Sequence, residues 1–335
     1  MLPLILGLSG PVLTDAERDF FRQADPAGFI LFGRNIVDHT QLRALTDALR
    51  DLCGRADLPV LIDQEGGRVA RLKPPHWPEF PAPWRFAELY SRAPISAIEA
   101  ARVNAQAMAA YLFEAGINVD CAPLLDLRFD STHEAIGDRT LGHEPMQVAA
   151  LGRAVLEGLQ VGGVIGVVKH MPGHGRAEVD SHESMPVAEG SEADLEQDIA
   201  PFIALKDSAM GMVSHLLYPA WDEARPASQS PTVIGDIIRG RIGFDGLLLS
   251  DDLAMGALSG PPGERARAAI AAGCDIALYC SGSLAEGEEV ASTLEPLRDQ
   301  SAGRLARAMK RIEAVVPSGG PEALAAKRDS LLAYA

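Results

Sequence analysis

The stretch KHMPGHGRAEVDSH, from Lys169 to His182, gathers three of the chain's eight histidines beside a lysine and an aspartate. Pro172, Gly173 and Gly175 exclude a helix interior. The metalloprotease pattern, two histidines one helical turn apart, therefore fails. A metal site, an anion cradle and a loop that delivers an acid/base remain. A catalytic metal wants several His or carboxylate ligands on rigid strand ends. Here the histidines crowd one glycine-rich loop, and no strand carries an HxH pair. PGHG is not followed by the GK[ST] of a phosphate-binding loop. Acid/base chemistry fits better. Asp180 stands two residues from His182, and in an extended or turning loop their side chains can meet. A carboxylate orients an imidazole, and an unperturbed pKa of about 6.5 lets histidine give and take a proton near neutrality.

Other ionisable residues sit where apolar runs end. LPVLI is followed by Asp63-Gln64-Glu65-Gly66-Gly67-Arg68, INVDCAPLL by Asp126, and VIGVV by Lys169-His170. GMV leads to Ser214-His215, and GLLL to Ser250-Asp251-Asp252. A carboxylate at the end of an apolar strand is costly unless it faces a partner or a polar pocket. Any one of these residues could be a helix cap or a structural ion pair. Five run ends with the same habit point to one shared pocket. Asp251, on a rigid strand end, suits a nucleophile. A carboxylate nucleophile opposite one proton donor is the retaining-glycosidase arrangement, here with Asp180–His182 in place of the second carboxylate.

What would position these groups is a repeating β/α unit. Eight short, almost continuously apolar runs (PLILGL, GFILF, LPVLID, INVDCAPLLDL, VIGVVKH, GMVSHLLY, GLLLSDD and CDIALYC) alternate with segments of helical spacing. Thr14-Asp-Ala-Glu17 reads as a capping box that opens the first helix. Such strands, buried on both faces, imply a parallel sheet. Eight units in 335 residues fit one TIM-type (β/α)8 barrel over residues 1–335, with no proline- or serine-rich linker to divide it. Two connections, Arg68–Phe86 and Arg128–Glu144, are too long to be simple turns and fall on the C-terminal face of such a barrel. Gly173 and Gly175 read as hinges that let the His182 loop close over a ligand. His174 reads as a brace for that loop, Asp252 as a structural neighbour of the nucleophile, and Trp77 and Trp84 as packing aromatics.

Composition narrows the class. Forty-six acidic against thirty basic residues give a net charge of −16, which supplies no basic stripe for nucleic acid. The N-terminal apolar run lacks a basic lead and a small-residue cleavage site, so it reads as a strand rather than a signal peptide. No run is long enough to span a membrane. Four widely spaced cysteines form no CxxC pair and read as small buried residues in a reducing compartment. The expectation is a cytoplasmic protein without a metal or organic cofactor.

The order IDQEGG, KH-PGHG-DSH and SDD resembles glycoside hydrolase family 3, specifically its single-domain bacterial β-N-acetylglucosaminidases of cell-wall recycling. The resemblance runs from the first strand through the eighth. It implies that Asp251 forms a covalent glycosyl-enzyme intermediate, that His182 is the acid/base, and that Asp180 is its partner. It also implies that Asp63, Arg71, Arg139, Lys169 and His170 hold a terminal N-acetylglucosamine. Met171 replaces the family's usual phenylalanine after KH, a change of one apolar group for another. With no second domain in view, His182 comes from the barrel's own loop. The implied protein is a monomer acting on a small carbohydrate, releasing GlcNAc from GlcNAc-1,6-anhydroMurNAc peptides. A β-glucosidase or a phosphorylase of the same family, a metal-dependent barrel hydrolase and a non-catalytic sugar-binding protein are the alternatives.

Overall fold

Strand β1 (Leu2–Gly7) shows how the apolar runs become a barrel in this computed structural model, which describes residues 1–177, 179, 185–317 and 319–334. Leu4 and Leu6 pack in the layer shared with the helices, and Ile5 packs in the barrel interior. Side chains alternate with a period of two, and here both faces are covered, so the run reads as continuously apolar. Seven strands follow: β2 (Pro26–Leu31), β3 (Val60–Ile62), β4 (Val119–Asp120), β5 (Ile165–Met171), β6 (Met210–Val213), β7 (Leu247–Asp252) and β8 (Ile276–Tyr279). Each pairs in parallel with its sequence neighbours. β1 closes the ring on β8, with Leu4 opposite Ala277 and Ile5 opposite Leu278. The eight-stranded barrel expected from the sequence is the observed fold.

The outer ring consists of α1 (Asp15–Ala24), α2 (His39–Cys53), α3 (Trp84–Tyr90), α4 (Pro94–Glu114), α5 (Pro145–Val161), α6 (Glu192–Ala204), a π-helical segment (Val233–Ile242), α7 (Pro262–Ala272) and α8 (Leu284–Ser292). The capping box of α1 forms as expected: Glu17 N–H donates to Thr14 Oγ1 at 3.2 Å, and Thr14 N–H donates to the Glu17 carboxylate at 2.9 Å. Helix α9 (Asp299–Lys310) has a different task. Its Leu305, Ala308 and Met309 join the interior cluster of Ile5, Leu61, Val119 and Val167 and plug the barrel. Helix α10 (Pro321–Leu332) lies against α4, where the Arg328 guanidinium donates to Asn104 Oδ1 at 3.1 Å.

Two local expectations change. Of INVDCAPLLDL only Val119–Asp120 joins the sheet, because Pro123 has no N–H to offer the ladder. The chain regains the sheet at Leu124, as an isolated bridge to Lys169. The long connection after β3 also holds the start of helix α3, hidden in sequence by its prolines. The N-terminal run is strand β1, and none of the described helices is long and apolar enough to cross a membrane. All four cysteines are free: Cys121, Cys274 and Cys280 are buried and Cys53 is half-buried.

Candidate active site

At the C-terminal end of the barrel the apolar interior stops at Ile30, Met212 and Leu278, which line the floor of a cavity of about 270 Å³. Asp63, Arg71, Arg139, Lys169, His170 and Asp251 line it too. Six residues singled out in the sequence thus meet at one place, where active sites of this architecture lie.

The segment after β3 is built by its own side chains. Gln64 N–H donates to Asp120 Oδ1 at 2.9 Å, and Gln64 Oε1 accepts the N–H groups of Arg71 and Leu72 at 2.8 and 3.0 Å. Those bonds bring the returning chain back over the strand end, so that Arg71 Nη2 reaches Asp63 Oδ2 at 3.2 Å. The turn between them passes so close to Pro81 that a Cβ on Gly66, where φ is 98°, would lie 2.3 Å from the Pro81 carbonyl oxygen. Asp63 and Glu65, two residues apart, project toward the same side.

There they form a chain of alternating charge. Lys169, 2% exposed, donates to Asp63 Oδ1 at 3.0 Å and pairs with Glu65 Oε1 at 2.7 Å. Glu65 receives Arg139 in a bidentate pair, 2.8 Å on each arm. The order is Arg71–Asp63–Lys169–Glu65–Arg139. Burial opposes the charge on Glu65, but Arg139 and Lys169 overcome it and hold the carboxyl far below the usual carboxylate range. Burial likewise opposes the charge on Lys169, and Glu65 and Asp63 more than restore it. Glu65 is the hub of this set, a role the sequence reading did not assign. Arg68 ties the two long connections together through Asp138 at 2.9 Å and the Ala135 carbonyl at 2.7 Å.

A second carboxylate organises the histidines. Asp126 is fully buried, and its Oδ2 lies 2.8 Å from His170 Nδ1. Its Oδ1 accepts the backbone N–H groups of His170 and His174 at 3.1 and 2.7 Å. Burial pushes the Asp126 carboxyl up, but His170 and the His174 N–H outweigh it, so the group is an acceptor and the proton sits on His170 Nδ1. Asp251, 7% exposed, is treated similarly. Burial disfavours its charge, while His170, His215, the Asp252 N–H and Lys169 favour it and bring its pKa below the ordinary value. The Asp252 N–H donates to Asp251 Oδ1 at 2.8 Å. Asp251 is an ionised carboxylate on a strand end.

The polar end of β6 stands behind this wall rather than in it. His215 lies 2.7 Å from Ser228 Oγ and 3.0 Å from the Asp252 carbonyl. Asp252 itself accepts the N–H groups of Ala254 and Cys280 at 2.9 and 3.0 Å. Trp77 is buried, and Trp84 packs beneath the Arg128 guanidinium. Asp180 and His182 lie outside the described residues.

Gly173 and Gly175 lie in close packing. A Cβ on Gly175 would stand 1.8 Å from the Leu127 carbonyl oxygen, and one on Gly173 would meet Asp198 at 3.0 Å. The Gly173 carbonyl accepts Tyr218 Oη–H at 2.7 Å, and the Gly175 carbonyl accepts Thr132 Oγ–H at 2.6 Å. Arg176 donates to Asp198 at 2.7 Å and stacks over Phe129. Close packing of the stem is by itself a reason for glycine at both positions.

Residues 9–315 match the glycosyl hydrolase family 3 N-terminal domain. The chain belongs to glycoside hydrolase family 3. A β-hexosaminidase of Chromobacterium violaceum is 39% identical over 310 residues, 91% of this chain and 86% of that one. A β-hexosaminidase of Aromatoleum aromaticum is 39% identical over 286 residues, 83% of this chain and 79% of its own length. Among solved structures, NagZ of Neisseria gonorrhoeae in complex with N-trifluoroacetyl-D-glucosamine superposes with a TM-score of 0.87 at 32% identity, covering 98% of both chains. The cavity described above is therefore that of a family 3 glycoside hydrolase.

Proposed function

We propose that this chain is a retaining exo-β-N-acetylglucosaminidase that removes terminal GlcNAc from GlcNAc-1,6-anhydroMurNAc and its peptides during cell-wall recycling in the cytoplasm. The observation that carries the reading is the ionised Asp251 carboxylate beside a cavity walled by Asp63, Arg71, Arg139, Lys169 and His170. About 270 Å³ lies near the lower end of small-molecule sites, room suited to one sugar ring rather than a length of polysaccharide. Buried carboxylates and cations bond sugar hydroxyls and reject analogues that leave them unpaired. The two β-hexosaminidases and the N-acyl-glucosamine complex of the Neisseria protein support the N-acetyl substrate.

In this mechanism Asp251 attacks the anomeric carbon as the glycosidic bond breaks. His182, partnered by Asp180, gives its proton to the leaving oxygen. The same imidazole then takes a proton from water, which cleaves the glycosyl ester and restores the Asp251 carboxylate. All of these groups belong to the one chain, and the enzyme works as a monomer without a cofactor.

The test compares a chromogenic N-acetyl-β-glucosaminide with the plain β-glucoside, in EDTA, with and without inorganic phosphate. Release from the N-acetyl sugar alone, yielding free GlcNAc and lost in Asp251→Ala, is the expected result. Inhibition by EDTA would overturn the metal-free mechanism. Preference for the plain glucoside would move the substrate, and GlcNAc-1-phosphate as product would make the enzyme a phosphorylase.

A further inference from the structure

The main chain of His174 is fixed. Its N–H donates to Asp126 at 2.7 Å, its carbonyl accepts the Ala177 N–H at 3.1 Å, and Tyr218 grips the preceding Gly173 carbonyl. Every one of these bonds is made by backbone atoms, which any residue could provide. The loop does not need the imidazole as its brace.

The ring is nevertheless costly. It is 4% exposed, and its Nδ1 is buried with no hydrogen-bond partner among the described residues. A buried polar atom left without a partner destabilises a fold by about 1–3 kcal/mol, and native structures contain few. Burial and the neighbouring His170 push its pKa down to about 4, so the ring is neutral at working pH. It stands edge-on to His170, ring centroids 5.5 Å apart, and borders the same cavity as Asp63, Lys169 and Asp251. A neutral imidazole has one N–H and one lone pair. That is the valence of a partner for a hydroxyl, which both donates and accepts.

We propose that His174 is a substrate-contacting residue, hydrogen-bonding a ring hydroxyl of the sugar held between Asp63, Lys169 and Asp251. This rests on the cavity being the GlcNAc site. It accounts for a buried ring nitrogen kept without a partner among the described residues, since such departures from local stability gather at functional sites.

The test is His174→Phe, which keeps a ring against His170 and removes both nitrogens. The thermal midpoint should stay at or above that of the wild type. GlcNAc affinity, by calorimetric titration, and kcat/KM on the N-acetyl-β-glucosaminide should each fall about 10- to 100-fold, the fold-change equivalent of one lost bond in a dry site. An unchanged affinity would overturn the proposal, and a midpoint lowered by several degrees would make the ring structural. Since phenylalanine is larger than histidine, the wild type provides an independent reading. With 15N-labelled histidine, the imidazole resonances that vanish in His174→Gln should move when GlcNAc is added, and resonances that stay still would overturn the contact. Wild-type protein that shows no GlcNAc binding would instead refute the functional reading itself. Binding by the wild type, retained in full by His174→Phe, would refute only the role of His174.

Discussion

Glu65→Gln tests whether the charged chain in the cavity acts as one unit. The Glu65 side chain is 1% exposed and lies between two cations, Arg139 at 2.8 Å and Lys169 at 2.7 Å. Glutamine has the same shape but carries no charge, and its NH2 must face N–H donors. Breaking a buried ion pair typically costs about 3–5 kcal/mol. Lys169 keeps Asp63 at 3.0 Å, so the lower end, ~3 kcal/mol, applies. At about 2.1 cal/mol/K per residue, 335 residues have an unfolding entropy of roughly 0.7 kcal/mol/K, so the midpoint should fall by about 4 °C. Arg139 and Lys169 then lose the group that spaces them, and a displacement of about 1 Å can reduce turnover about 100-fold. Thermal unfolding and kcat/KM on the N-acetyl-β-glucosaminide measure both effects. Because the Glu65 carboxyl is held far below the ordinary range, both should be constant across neutral pH. A midpoint within 1 °C of wild type together with kcat/KM within twofold, against the ~3 kcal/mol estimate, would refute the idea that Glu65 joins the two cations.

Two further predictions concern the stem that leads to His182. Gly175→Ala places a methyl 1.8 Å from the Leu127 carbonyl oxygen; overpacking of this kind costs about 1–3 kcal/mol or more, so both midpoint and activity should drop, and a wild-type midpoint would show that close packing is not what requires glycine here. Asp198 is raised to about 6 by burial, against the opposing pull of Arg176, with Asp126 and Asp194 adding to the rise. Its native state therefore holds a proton that the unfolded chain has released, and its contribution to stability declines as pH climbs from about 4 to about 6. Asp198→Asn should remove up to roughly 3 kcal/mol of that decline, read as a variant-minus-wild-type difference in midpoint that grows across this window. Parallel curves would refute it.

The barrel was legible because both faces of every strand are buried, which leaves runs such as LPLILG and LLLSDD with no polar interruption until the strand ends. The strand-end acids were legible for the complementary reason: only a polar pocket tolerates them. Strand β4 was read too long because Leu124, Leu125 and Leu127 are buried although Pro123 keeps most of that stretch off the ladder. Burial and strand pairing are separate facts, and hydrophobicity reports only the first. Glu65 was placed at the end of its apolar run but given no role of its own. Its spacing of two from Asp63 was the available signal, since that parity puts both carboxylates on one side. Gly173 and Gly175 were read as hinges, yet glycine marks either freedom or close approach. What decides is a neighbour such as Leu127, 48 positions from Gly175 in the chain and invisible to local pattern.

The charge arrangement bears on what the cavity can bind. Asp63, Glu65, Asp126 and Asp251 stand against Arg71, Arg139 and Lys169, leaving one net negative charge, and Asp252 adds to that sign when ionised. Within the chain from Arg71 to Arg139 each cation already has a carboxylate. These groups meet a ligand as oriented hydrogen-bond partners, which suits a neutral sugar. The surplus sits at Asp251, where the proposed mechanism has positive charge grow on the anomeric carbon in an oxocarbenium-like transition state. Preorganised charge of opposite sign stabilises that state without reorganisation. In the glycosyl-enzyme Asp251 is an ester, so that surplus is gone and the remaining charges balance. The cavity then offers incoming phosphate no net positive charge to hold it, and water needs none. On this reasoning hydrolysis outruns phosphorolysis, and neutralising Asp63, which leaves one cation in surplus, should narrow the gap. In Asp63→Asn the ratio of GlcNAc-1-phosphate to GlcNAc formed at saturating phosphate should rise, whatever the loss in total rate. A ratio unchanged from the wild type would show that the charge balance of the cavity does not choose the acceptor.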